Sequence, residues 1–268
     1  MSANLLLVGC GKMGGAMLAG WKAAGAAAAM VVVEPHGQPR GLPADVQVVT
    51  DAAAIPAGFR PDAVILAVKP QMMDQALPAY ARYAGSALFL SIAAGKPIEY
   101  FERHLGPEAA IVRAMPNTPA AVGRGISAAV PNARVGEDQR QLARTLLSAV
   151  GEVAWVDDEA QIDAVTALSG SGPAYVFLLV EAMARGGVAA GLPADLAMQL
   201  ARATVAGSGE LLRQSHESAE QLRRNVTSPK GTTEAALDVL MQEGPGGLHN
   251  LLTRAIAAGT ARSRELAG

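Results

Sequence analysis

Seven residues near the start, Val8-Gly9-Cys10-Gly11-Lys12-Met13-Gly14, constrain this chain more than any other stretch. They follow an apolar run, Leu5-Leu6-Leu7, and lead into a helix-prone segment at 13–24. A strand that passes into a helix through G-x-G-x-x-G uses each glycine differently. The first permits a tight turn, the second lets backbone approach a pyrophosphate, and the third lets helix and strand pack closely. The helix N-terminus beyond them offers free N–H groups and a positive dipole end to an anion. A second strand then ends in an acid, Glu34, about 20 residues on. Together these features read as the first βα turn of a dinucleotide-binding sheet, against a plain glycine turn followed by a solvated glutamate. An acid in that place accepts from the ribose hydroxyls and repels a 2′-phosphate, which favours NAD over NADP. His36 and Arg40, close by, are suited to meet a phosphate instead.

The organisation of the first half agrees with the turn. Apolar runs suited to strands lie at 4–8, 30–34, 46–49, 63–68, 87–91 and 110–114, with helix-prone segments at 13–24, 71–83 and 97–104. Continuous apolar runs such as Val64-Ile65-Leu66-Ala67-Val68 are expected where helices cover both sheet faces. Strand–helix alternation implies a parallel, doubly wound α/β sheet of the Rossmann type. Two more strands, 125–130 and 152–156, flank a helix at 137–149 and extend that sheet. Beyond Asp157 the pattern turns all-helical, over 159–190, 193–214, 218–224, 232–242 and 248–265. The expected domains are therefore a dinucleotide-binding Rossmann domain over 1–157 and a helical domain over 158–268.

Composition narrows the function by exclusion. The formal charge is −2, so there is no basic surplus with which to neutralise nucleic-acid phosphates or an anionic membrane. Two Trp, four Tyr and four Phe are too few for base-stacking platforms. The one cysteine rules out a disulfide framework, and the four histidines fall in no metal-ligand spacing. The longest uncharged stretch, 164–180, is interrupted by Ser169-Gly170-Ser171-Gly172-Pro173 and falls short of a membrane span. No signal peptide is evident, which leads us to expect a soluble, cytoplasmic protein.

Ligands of open α/β sheets bind beyond the carboxyl ends of the strands. Three further strand ends carry polar or small, turn-prone residues: Ala67-Val68-Lys69-Pro70, Ser91-Ile92-Ala93-Ala94-Gly95 and Met115-Pro116-Asn117-Thr118-Pro119. Each alone is ordinary turn chemistry, but all three fall where a dinucleotide should run. In the second half, Asn225-Val226-Thr227-Ser228-Pro229-Lys230-Gly231-Thr232-Thr233-Glu234 leads a polar loop into a helix. Free N–H groups beside two hydroxyls make a carboxylate site, while a threonine that merely caps the helix explains the pattern equally well.

These motifs, together with Leu168-Ser169-Gly170-Ser171-Gly172-Pro173-Ala174-Tyr175, closely resemble pyrroline-5-carboxylate reductase, and they run in family order from residue 9 to residue 237. The resemblance implies reduction of 1-pyrroline-5-carboxylate to L-proline by hydride from NADPH or NADH, the last step of proline biosynthesis. It implies that the C-terminal helices form a dimerisation domain, with each active site between one subunit's cofactor domain and a helical dimer. Ser228, Gly231, Thr232 and Thr233 match residues that hold the substrate carboxylate, and Thr233 lies near the ring nitrogen as the expected catalytic group. Glu159 matches a further substrate-site residue, and Asn225 matches one that reaches the cofactor. The cofactor set is completed by Val8, Gly9, Cys10, Gly11, Lys12, Met13, Gly14, Glu34, Ala67, Val68, Lys69, Pro70, Ala93 and Asn117.

Two residues depart from the family pattern. Lys230 stands where the first of two glycines usually follows Ser-Pro, which bears on the conformation of the substrate loop. Glu34 stands where NADPH-using members tend to have a small hydroxyl residue, which tilts the expectation toward NADH. A β-hydroxyacid dehydrogenase is the alternative enzyme, but it would need a lysine within 159–191, and that stretch has none. A dinucleotide-binding regulator without catalysis is the alternative outside enzymes.

Overall fold

A computed structural model describes residues 2–37, 41–43 and 45–267. The chain forms two compact units, one of residues 1–170 with 259–268 and one of residues 171–258.

The first unit is built on one eight-stranded sheet. Its strands are β1 (Ala3–Val8), β2 (Ala27–Val33), β3 (Gln47–Val49), β4 (Ala63–Leu66), β5 (Leu88–Ser91), β6 (Ala110–Met115), β7 (Gly125–Pro131) and β8 (Gly151–Trp155). All eight lie where apolar runs predict them. Their order in the sheet is β3-β2-β1-β4-β5-β6-β7-β8. The order reverses between β1 and β4, which is where such sheets bind ligands. Helices α1 (Lys12–Ala23), α2 (Met73–Ala76), α3 (Ile98–Leu105) and α4 (Glu137–Ser148) connect the strands.

Alternation along the central strands divides the core in two. Leu5, Leu7, Ile65, Leu88, Leu90 and Val112 face α1 and α4, packing with Met17, Leu18, Trp21, Leu146 and Leu147. Leu6, Val8, Val64, Leu66, Phe89 and Ile111 face the other way, against Leu77, Tyr80, Phe101 and Leu105. Side chains on a strand point alternately to opposite faces, so only residues apolar at every position satisfy both layers. Trp21 is fully buried, and its indole N–H donates to the Leu146 carbonyl at 2.8 Å, tying α1 to α4.

Three expectations need correction. β7 runs antiparallel to β6, although β8 is again parallel to β7. The link from Met115 to Gly125 holds only a short 3-10 turn at Thr118–Val122, too little chain for the crossover that a parallel neighbour requires. The segment expected as a helix over 71–83 is mostly 3-10, at Pro70–Met72 and Leu77–Tyr83, with α2 as one α-turn between them. Pro78 lacks the N–H that a continuous α-helix would use, and its ring crowds the carbonyl of Asp74, four residues back.

The helix expected over 159–190 is also interrupted. It comprises α5 (Gln161–Val165), a π-type turn at Thr166–Gly170 and α6 (Gly172–Ala189). Pro173 cannot donate to the carbonyl of Ser169, four residues back, and the ladder breaks there. The Asn117 amide satisfies that carbonyl instead, with Nδ2 donating at 3.1 Å.

The second unit contains α6, α7 (Ala194–Gln214), α8 (Ala219–Asn225), α9 (Thr232–Leu240) and the start of α10 (Leu248–Ala267). Many large apolar side chains on these helices are exposed, among them Phe177 and Leu178 on α6 and Leu200 and Leu211 on α7. By length and composition alone, the helical run Gln161–Ala189 is apolar enough to cross a membrane, contrary to expectation.

Replacing Trp21 by Ala is expected to lower the unfolding free energy by about 3–5 kcal/mol, through cavity formation and the lost tie to Leu146. Urea denaturation followed by circular dichroism checks this, and a loss below about 1 kcal/mol would contradict it.

Candidate functional site

The parallel register lines up the carboxyl ends of four strands beside Arg113, two residues before the end of a fifth. Val8 lies opposite both Val33 and Leu66, Leu66 opposite Ser91, and Ser91 opposite Arg113. Four strand spacings give a row of roughly 19 Å. Along it follow Glu34, the glycine turn, and the loops opening at Ala67, Ile92 and Pro116. The expected cofactor residues of the first unit are thus neighbours in space as well as in pattern.

At the glycine turn, Gly9 has φ +88°, and a Cβ there would come within 3.0 Å of the Ala67 carbonyl oxygen. A Cβ on Gly14 would sit 2.5 Å from the Gly9 carbonyl oxygen. These two glycines let the turn close against the next loop. The second glycine differs, because a Cβ on Gly11 would meet only open space. That is the room a pyrophosphate needs to approach the backbone. Gly11 also N-caps α1 without any side-chain cap, and no acid stands in the first turn. The amides of Lys12 and Met13 are therefore available to an anion. This turn fits a dinucleotide.

Glu34 is aimed back at the turn. One carboxylate oxygen accepts from the Cys10 N–H at 2.9 Å, and the other accepts from the His36 N–H at 3.3 Å. Burial, and then the Glu34 charge, push the Cys10 thiol above its ordinary pKa, so it stays a protonated spacer at neutral pH. Arg40 lies outside the described residues.

Polar contacts fasten the other loops. Lys69 ends its loop in extended backbone, and Pro70 opens the 3-10 turn that follows. The Tyr100 hydroxyl of α3 donates to Asp74 of α2 at 2.6 Å, joining the helices behind two of the loops. That bond holds the Asp74 carboxyl below its usual range, while burial raises Tyr100. Ala93 is buried, and its N–H donates to the Ser91 hydroxyl at 3.3 Å. Asn117 accepts from the Ile126 N–H at 3.0 Å through Oδ1 and donates to Ser169 through Nδ2, so both ends of its amide are engaged by protein. Glu159 accepts from Arg113 at 2.7 Å and from the Ile98 N–H at 2.8 Å.

The residues expected to hold the substrate carboxylate lie in the second unit. The Gly231 N–H donates to the Ser228 carbonyl at 3.0 Å, closing a turn with Pro229 and Lys230 at its centre. Lys230 has φ +60°, and it is the one non-glycine residue with positive φ among those described. Proline followed by a positive φ is the pattern of a type II turn, whose third position favours glycine. The loop thus keeps a glycine-like conformation with a lysine in it. Glu234 supports that conformation by accepting the Lys230 N–H at 2.7 Å. Gly231, rather than a threonine, N-caps α9, so Thr232 and Thr233 occupy the first turn and the helix start has no side-chain cap. The reading of a threonine as a simple cap therefore falls. Asn225 closes α8 with its amide turned to Glu217 and Gln221, donating to the former at 3.2 Å and accepting from the latter at 2.7 Å.

Comparison with known proteins bears on the whole chain. Residues 159–266 match the family described as pyrroline-5-carboxylate reductase dimerisation, and residues 4–95 match the one described as NADP oxidoreductase coenzyme F420-dependent. A pyrroline-5-carboxylate reductase of Synechocystis is 42% identical over 269 residues, covering 99% of each chain. A solved reductase of the same name from Coxiella burnetii superposes with TM-score 0.89 at 34% identity, over 100% of both chains. The Plasmodium falciparum enzyme, solved with NADP bound, gives TM-score 0.83 at 27% identity, over 99% of this chain and 98% of that one. This chain belongs to the pyrroline-5-carboxylate reductase family.

Two residues at these sites escape the motif reading. Arg113 is a lone charge inside an apolar strand, a signal available in the sequence but overlooked. Glu217 has no such signal, because its contact with Asn225 depends on how the chain turns before α8.

The left-handed conformation at Lys230 gives a direct test. Lys230→Val is expected to be about 1–2 kcal/mol less stable than Lys230→Gly, because a β-branched residue is strained at positive φ. Urea unfolding of the two variants measures this, and equal stability would contradict the turn described here.

Proposed function

We propose that this chain reduces 1-pyrroline-5-carboxylate to L-proline, with a nicotinamide dinucleotide as the reductant. The observation that carries the reading is the full-length relationship to reductases of that name, which spans both the glycine turn and the helical half. The uncapped start of α1 and the space over Gly11 support the cofactor part of it.

When bound, the nicotinamide supplies a hydride to the C=N carbon. The backbone from Val8 to Gly14 holds the pyrophosphate, and Glu34 accepts from the adenosine ribose. Ala67, Val68, Lys69, Pro70, Ala93 and the Asn117 backbone line the remainder of the row. In the second unit, the N–H groups of Gly231, Thr232 and Thr233, with Ser228 beside them, fix the substrate carboxylate. The Thr233 hydroxyl hydrogen-bonds the ring nitrogen, and the proton for that nitrogen arrives on the substrate or through water. Asn225 is assigned to the cofactor by family resemblance.

The exposed apolar faces of α6 and α7 support self-association through the helical half, whose residues match a dimerisation family. We place the functional boundary at 157/158, just ahead of that match. A cytoplasmic location belongs to the same proposal, in keeping with the biosynthetic reductases that this chain is similar to.

Glu34 also leads us to infer a preference for NADH, because a carboxylate at that place repels the 2′-phosphate of NADPH. Oxidation of each cofactor with added 1-pyrroline-5-carboxylate should show turnover with both and a higher kcat/KM with NADH. Glu34→Ser should improve the NADPH-linked kcat/KM about tenfold, equivalent to about 1.4 kcal/mol. Turnover with neither cofactor would favour a non-catalytic regulator, and an unaltered cofactor ratio would remove Glu34 from selection.

Thr233→Ala is expected to lower kcat/KM about 10–100-fold, the worth of one hydrogen bond to a charged group, while leaving cofactor affinity unchanged. Steady-state kinetics with a separate cofactor titration checks this. An unchanged kcat/KM would exclude the role.

A further inference from the structure

Charge is distributed unevenly around the start of α9. Across residues 225–247 the acids are Glu234, Asp238 and Glu243, and Lys230 is the sole base. Glu234 stands in the first turn of α9, and the last turn of that helix holds no base. An acid in the first turn offsets the positive dipole end that a helix start presents to an anion. Without Lys230, the segment proposed to hold the substrate carboxylate would bring only negative side chains to it.

Lys230 also occupies a strained place. Its φ of +60° lies in the left-handed region, where an L residue is strained and glycine is not. The backbone is braced on both sides of it. The Gly231 N–H donates to the Ser228 carbonyl at 3.0 Å, and Glu234 accepts the Lys230 N–H at 2.7 Å. A Cβ on Gly231 would lie 2.9 Å from that same Ser228 carbonyl oxygen, so the closure of the turn fixes glycine at 231. The Lys230 side chain is exposed and adds nothing to a core. Strain that the surroundings over-determine is a mark of functional positions. What lysine offers over glycine at this place is its charge.

That charge is close enough to act. Lys230 directly precedes Gly231, Thr232 and Thr233, and an ammonium on a flexible four-carbon stem needs no fixed geometry to attract an anion. At about 6 Å in water, the attraction of two unit charges changes an equilibrium about threefold.

We propose that Lys230 recruits the anionic substrate, drawing its carboxylate to the start of α9 against the repulsion of Glu234 and Asp238. This deepens the reading of the chain as a reductase of 1-pyrroline-5-carboxylate and rests on it. The role belongs to the charge of the side chain, because the turn itself needs only a conformation that glycine supplies.

The test is steady-state kinetics of the full chain at low and high ionic strength, with dinucleotide Kd read by reduced-nicotinamide fluorescence. Lys230→Gly keeps the turn and removes the charge. Lys230→Asn removes the charge with a residue that tolerates positive φ, and Lys230→Arg keeps the charge. At low ionic strength, KM for 1-pyrroline-5-carboxylate should rise about threefold in Lys230→Gly and Lys230→Asn, with kcat unchanged. Lys230→Arg should stay near the original value. At about 0.5 M salt, screening should bring all four proteins to the same KM. The dinucleotide Kd should be the same in all four.

An unchanged KM at low ionic strength in the two uncharged variants would overturn the proposal. So would a rise that persists at high salt or is shared by Lys230→Arg, since either marks a role of shape rather than charge. A dinucleotide Kd that rises in step with KM would overturn it as well. Should Lys230→Gly fail to fold, Lys230→Asn carries the same readouts. If the unaltered chain reduces the imine and the uncharged variants match it, this inference alone fails. If the unaltered chain leaves the imine unreduced with either dinucleotide, the proposed function fails and this inference with it.

Discussion

Strands buried on both faces can be joined in parallel only by crossovers that leave and return through covering helices, and that constraint governs the first unit. It requires the strands β1, β2, β4 and β5 to present apolar residues on both sides, which the two core layers show. It also gathers all the outgoing loops at one edge of the sheet. The register from Val33 through Val8 and Leu66 to Ser91 then aligns four strand ends in a row, with Arg113 of β6 beside the last. A dinucleotide needs such an extended edge, and the reversal of order between β1 and β4 opens it beside the glycine turn.

An edge made of loops has to be stiffened, because loops have few buried apolar contacts of their own. Here polar side chains do it from a distance. Asp74 and Tyr100 join α2 to α3, Asn117 joins the loop after β6 to the broken helix at Ser169, and Glu159 joins α3 to Arg113. Each contact also satisfies a group that local structure leaves wanting. Pro173 strands the Ser169 carbonyl, Pro97 leaves the start of α3 uncapped, and β6 buries a guanidinium. The irregularities of the chain and the ties that fasten the loops are thus one set of features.

Much of this was legible beforehand. Unbroken apolar runs located all eight strands, and the glycine turn was placed correctly between strand and helix. Glu34 was expected at the ribose, and its carboxylate does point back at the turn. The reversed direction of β7 was less legible, since it follows from how little chain separates Met115 from Gly125 rather than from any residue type. The loop ahead of α9 was half legible. Ser-Pro and the threonines marked it, but the turn type, the positive φ at Lys230 and the capping of α9 by Gly231 depend on backbone geometry.

The sequence by itself determined the alternation of elements, the place of the glycine turn and the family to which the chain belongs, because these depend on periodicity and on neighbours in the chain. Only the tertiary structure decided which polar groups meet. Glu159 shows why. A lone glutamate before a helix has no local partner, and its contacts arise only when folding brings it to Arg113 and Ile98, 46 and 61 residues earlier in the chain. Such a contact is imposed because a buried arginine is costly unless a counter-charge meets it, and burial is a property of the packed layers rather than of the residues that flank it.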